Sequence, residues 1–102
     1  MKIIKTIAEK IQEEVQDANA YIDLAMEWKS AESEAAEVFY QLSTEEIGHA
    51  DRLHGVVVSL IQKYRAKNGE PPEGMLMLWE YLHEKHMQDA MAVKVKQGMY
   101  LE

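Results

Sequence analysis

Asn68-Gly69-Glu70-Pro71-Pro72-Glu73-Gly74 is the stretch that decides the fold. Proline lacks a backbone N–H and glycine loses the most entropy on ordering, so this run cannot be helix interior. It is also the only place where the two residue types cluster. Before it stand Gly48 and Gly55 and no proline; after it only Gly98 interrupts. Strand-like alternation does not recur anywhere, and Val56-Val57-Val58 is too short and too embedded in helical spacing to read as a strand. The chain is predicted to be all-α, with residues 68–74 as its long connector.

Working outward from the connector gives three helices. The first spans about residues 2–29, with an apolar stripe of Ile4, Ile7, Ile11, Val15, Ala18, Ile22, Ala25 and Trp28 at spacings of three and four. A break at Ser30-Ala31-Glu32-Ser33 offers serine oxygens to the free N–H groups of the next helix, and Glu34 and Glu37 suit a helix start. The second helix spans about 34–67. Its stripe is Ala35, Val38, Phe39, Leu42, Ala50, Leu53, Val56, Val57, Leu60 and Tyr64, and Asn68-Gly69 supplies its C-terminal cap. The third spans about 75–99, with Leu76, Trp79, Leu82, Ala90 and Val93 inward. At 102 residues the chain reads as one helical domain. The short break forces helices one and two into a long antiparallel hairpin, whose apolar stripe would stand in water unless chains associate. A homo-oligomer, at least a dimer, is therefore expected.

Composition narrows the function. There are 18 Asp and Glu against 11 Lys and Arg, a net charge of −7. Such a chain is a poor partner for nucleic acid, whose phosphates require clustered cations. With 0 Cys, thiolate chemistry, disulfides and iron–sulfur clusters are excluded. Neither a leader peptide nor a membrane-spanning run is evident, which makes the cytoplasm the default expectation. The seven methionines read as packing or as a contact surface.

Three polar residues fall where apolar ones belong. Glu14 lies in the middle of the apolar arc of helix one, and Glu46 and His49 lie within that of helix two. Buried charge is costly unless compensated. Glu14 is about 16 residues before the turn and Glu46 about 14 after it, so at ~1.5 Å per residue they sit ~24 and ~21 Å from the same end. In a hairpin they are level, with His49 on the same face as Glu46. One carboxylate facing Glu-x-x-His is half of a carboxylate-bridged di-metal centre. Oxygen ligands with imidazole suit iron, with manganese also compatible. The alternative is a buried polar pair that fixes helix register. His83 and His86 fall on the apolar face of helix three, where Glu80-x-x-His83 repeats the spacing. Core or interface histidines with hydrogen-bond partners are the favoured reading there, a second half-site the other. His54 reads as a surface residue.

Glu14 followed by Tyr21, then Glu45-Glu46-Ile47-Gly48-His49-Ala50, resembles the first helical hairpin of ferritin-like proteins. The resemblance covers roughly residues 3–65. It implies iron at a di-iron site, with Glu14 and His49 as terminal or near-terminal ligands and Glu46 as a bridge. A full ferritin-like domain carries a second hairpin that this chain lacks. It is more similar to the small encapsulated ferritins, in which two chains each supply one Glu and one Glu-x-x-His. The implied activity is a ferroxidase oxidising Fe(II) with oxygen or peroxide, with storage left to a larger assembly or an encapsulating partner. A rubrerythrin-like peroxide reductase is a weaker reading, since without cysteine it needs an external electron donor. A non-catalytic helical interaction module is the alternative from a different class.

Overall fold

The computed structural model describes residues 2–102; Met1 lies outside them. Among the described residues there are three helices and no strand: α1 (Lys2–Trp28), α2 (Ser33–Asn68) and α3 (Glu73–Leu101). The fold is all-α, and every helix end lies within two residues of its predicted place. None of these helices is long and apolar enough to cross a membrane.

The helix ends follow backbone chemistry. At the tight turn the Glu32 N–H donates to the Trp28 carbonyl at 2.8 Å, and the Ala36 N–H donates to the Glu32 carbonyl at 3.0 Å. The expected serine cap does not form, because α2 starts from Glu32 with no side-chain cap bond. The expected cap at Gly69 does form. Its φ of 79° lies in the left-handed region that glycine tolerates, and its N–H donates to the Arg65 carbonyl at 3.1 Å. Arg65 and Lys67 in the last turn of α2, and Glu73 in the first turn of α3, suit the two helix dipoles. The Pro72 carbonyl opens α3 by accepting from Met75 and Leu76 at 3.0 and 3.2 Å.

α1 and α2 form the antiparallel hairpin, and α3 returns beside it, packed mainly against α1. Near one end Trp79 and Leu82 meet Ile4 and Ala8. Near the other, Lys96 donates to Asn19 and Asp23, both at 2.9 Å. Tyr100 stacks on Tyr40 with ring centroids 4.9 Å apart, donates to Glu37 at 3.2 Å, and accepts from Lys29 through its carbonyl. So α3 runs parallel to α1. Lys96 thus ties the C-terminal turns of α3 to α1.

The bundle is a rod of 56 × 19 × 17 Å. Its radius of gyration is 16.4 Å, against ~13 Å for a compact chain of this length. Its core is correspondingly thin. α1 contributes Ile4, Ile7, Ala8, Ile11, Val15, Ala18, Ile22 and Ala25, all buried. Trp28 belongs to the predicted stripe but is exposed, because α1 ends there at the turn. Inside the core Ser43 donates its hydroxyl to the Ala18 carbonyl at 2.7 Å and accepts from Gln97 at 2.9 Å, so this buried polar group is satisfied.

The predicted stripe of α2 needs a larger correction. Ala50 and Val57 are buried as expected, together with Ala36, Ser43, Ile47 and Ile61. Val38, Val56 and Ala35 are exposed. α2 carries apolar residues on two flanks. The flank holding Ala36, Ser43, Ala50, Val57 and Ile61 is buried, mainly against α1, with α3 reaching it at Ser43 through Gln97. On the other flank Val38, His49 and Val56 are exposed, and Leu42 and Leu53 between them are half-buried. On α3, Trp79 and Val93 are buried and Leu76, Leu82 and Ala90 half-buried, as expected; His86 and Tyr100 join them.

Candidate metal centre

The tight turn fixes the axial match between α1 and α2, and that match brings three predicted residues together. His49 Nδ1 stands 3.5 Å from Glu14 Oε2 and 3.7 Å from Glu46 Oε1. One ligand atom from each of Glu14, Glu46 and His49 lies within 4.8 Å of the others. Among the described residues this is the one group of three or more His and carboxylate side chains so placed. The carboxylates are mostly covered, with side-chain exposures of 23% and 17%, while His49 at 51% opens the site onto the uncovered flank of α2.

The electrostatics are those of a site short of positive charge. Glu46 is pushed up to about 7, chiefly by a hydrogen bond with the Glu14 carboxylate. Burial and the charge of Glu14 act in the same direction, and His49 opposes them. Two carboxylates in contact cannot both ionise cheaply, so a proton takes the place that a cation could fill. The donor set therefore fits a cation: two carboxylates and one imidazole, oxygen-rich with a nitrogen, as suits iron or manganese. Three ligands leave the coordination sphere open.

This arrangement gives a signed pH dependence for the metal-free chain. The folded-state pKa of Glu46 lies above its ordinary value of 4.5, so the folded form holds the proton more tightly. The resulting stabilisation is complete below about 4.5 and is lost as pH rises through about 7. Allowing for solvent screening at this half-open site, the loss is on the order of 1–2 kcal/mol per chain. Urea unfolding at a series of pH values should show it, and a Glu46→Gln chain should not. If the native chain also shows no slope between these limits, the two carboxylates do not share the proton.

The remaining polar candidates lie elsewhere. Tyr21 stacks on Phe39 at 6.4 Å, and among the described residues no hydrogen bond joins its hydroxyl to a carboxylate. Glu80 is exposed, and His83 packs with His54 and Trp79. The repeated Glu80-x-x-His83 spacing therefore adds nothing to the Glu14 cluster. His86 is core-facing as expected, but its Nδ1 lacks the hydrogen-bond partner anticipated for it. His54 is not a free surface residue, because the return of α3 half-covers it. That juxtaposition is absent from a helical wheel, since it depends on where the connector delivers α3. Compared with family models, characterised proteins and solved structures, the chain finds no match.

Proposed function

We propose that this chain is a ferritin-like di-iron carboxylate protein, a ferroxidase whose site is shared between two copies. The carrying observation is the convergence of Glu14, Glu46 and His49 on a hairpin flank edged by exposed apolar residues. In ferritin-like di-metal sites, two helices each give a Glu and two more each give Glu-x-x-His. One chain holds half of that set, and a second copy seated on the same flank supplies the rest. Val38 and Val56 on α2, and Ile3 and Trp28 on α1, are exposed large apolar residues of the hairpin. Pairing would bury them.

In this reading Fe(II) is the substrate, and bound iron supplies the one-electron chemistry by which oxygen or peroxide is reduced. The chain's own residues bind and orient. Glu14 and His49 would hold iron from the sides, and Glu46, once deprotonated, would be shared between the two positions. Release of that proton is the residue-level step that admits the cation. Stored product would require a larger assembly or an encapsulating partner.

A second reading has its own support. Glu14, Glu46 and His49 already contact one another, which suits a polar cluster that fixes register in a non-catalytic oligomer. Anaerobic Fe(II) titration of the metal-stripped chain separates the two. About one iron per chain is expected for a shared two-iron site. Val56→Glu sharpens the test. Val56 is 46% exposed in the single chain, so the change should leave the helices within ~0.5 kcal/mol. Facing a second copy, the new carboxylate is buried without a partner. The variant should run as a monomer and lose iron binding together. An unchanged mass with full iron loading would remove the shared site.

A further inference from the structure

A second set of metal-capable side chains gathers where α3 crosses α2. The His54 and His83 rings stack with centroids 4.3 Å apart, and Trp79 lies 5.8 and 5.6 Å from them. Beside the stack is a cavity of about 250 Å³, lined in part by Asp51, His54, His83, His86, Met87 and Met91. His86 is 5% exposed, and its Nδ1 has no hydrogen-bond partner. An orphaned buried nitrogen is costly and rare, and an absent ion or water is a usual reason for one. Glu14, Glu46 and His49 do not line this cavity.

We propose that this cavity is a separate binding site for a soft monovalent transition ion, Cu(I), held by His54 of α2 and by His83 and Met87 of α3. His83 and Met87 are one helical turn apart and present to the same side. Imidazole with thioether is a soft donor set, which selects Cu(I) over the hard cations that seek carboxylates. Asp51 and Lys94 on the cavity wall offset each other in charge, which favours a single positive charge over two. Burial, and then the neighbouring His54, lower His83 from its ordinary range; burial chiefly lowers His86, against the pull of Asp89. Both shifts favour the neutral ring, which keeps a lone pair free for a metal. Binding requires the two stacked rings to tilt so that one nitrogen of each meets the ion. His83 is half-buried and Met87 is 58% exposed, so both have room to move. His86, which lines the same cavity with its unpartnered Nδ1, is a further ligand.

The test is a Cu(I) titration of the full chain under anaerobic, reducing conditions, in competition with a chromophoric Cu(I) chelator. The wild type and Glu46→Ala are expected to bind one Cu(I) per chain with equal affinity, so the result is independent of the iron reading. His83→Phe keeps an aromatic ring in the stack and removes the nitrogens. It should weaken binding by more than the ~10–100-fold typical of changes behind the ligands. Met87→Leu keeps volume and loses the sulfur, and at an exposed position it does not threaten folding. It should weaken binding by about tenfold, roughly the size expected of a weak ligand. In a Trp28→Phe background Trp79 is the only tryptophan. Its fluorescence should change with Cu(I) in the native cavity and not in the His83→Phe one. Equal affinity in all variants, loss in Glu46→Ala alone, or no Cu(I) retained against the chelator each overturns the site.

Discussion

Glu46→Ala is expected to abolish stoichiometric Fe(II) binding and metal-dependent oxidation while the helices stay formed. Glu46 is the least exposed member of the cluster, and in the proposed arrangement it would bridge the two iron positions. Its loss should cost more affinity than the ~10–100-fold seen when groups behind a ligand are changed. The effect on folding should run the other way. Glu46 is held against Glu14 at an electrostatic cost that its raised pKa records. Above pH 7 the alanine chain, freed of that repulsion, should be at least as stable as the native metal-free chain. Loss of binding without loss of stability is the signature of a residue kept for its site rather than for the fold. Iron oxidation by the variant at the native rate would sink the assignment. Circular dichroism, urea unfolding and iron oxidation on one preparation suffice.

Ile22→Ala carries the largest expected cost in stability. Ile22 is 0% exposed and among the largest fully buried side chains of the core. Removing buried methylenes from a large aliphatic side chain costs about 2–5 kcal/mol, through lost transfer free energy and the cavity left behind. A domain of this size has about 5–15 kcal/mol in total, so the change takes a large share. Ile3→Ala is the control. Ile3 is on the same helix but 51% exposed, and its loss should register within ~0.5 kcal/mol in the single chain. The comparison is made by urea unfolding at one fixed protein concentration, since association would make stability depend on it. Equal costs at the two positions would mean that the buried seam of α1 is wrongly placed.

The sequence makes the hairpin and its carboxylates legible for one physical reason. A tight turn leaves almost no freedom in axial offset, so heights computed from ~1.5 Å per residue survive into three dimensions. Glu14, Glu46 and His49 therefore meet as their spacing implies. What is not legible depends on which faces the assembled helices bury. Helix two has apolar residues on two flanks, and the wheel alone cannot say which flank is buried. Val38 and Val56 thus read as core and are exposed, while Ala36 and Ile61, outside the predicted stripe, are buried. His54 fails because the ring stack exists only once the Pro-Pro connector delivers His83 beside it. Ser43 is hidden by its polarity. Only knowledge that the Ala18 carbonyl and the Gln97 amide converge on it explains a hydroxyl in the core.

Ser43 also acts as an indexing pin. It lies three residues before Glu46, and Ala18, whose carbonyl it grips at 2.7 Å, lies four residues after Glu14. The bond thus joins the same helical turns that carry the two carboxylates. Apolar seams alone tolerate sliding, because one aliphatic contact resembles the next. If either helix slid by one turn, ~5.4 Å, the hydroxyl would lose its carbonyl in a place without water. The same slide would carry Glu14 out of reach of Glu46. One hydroxyl therefore calibrates the spacing of the cluster, and Gln97 extends that calibration to the third helix.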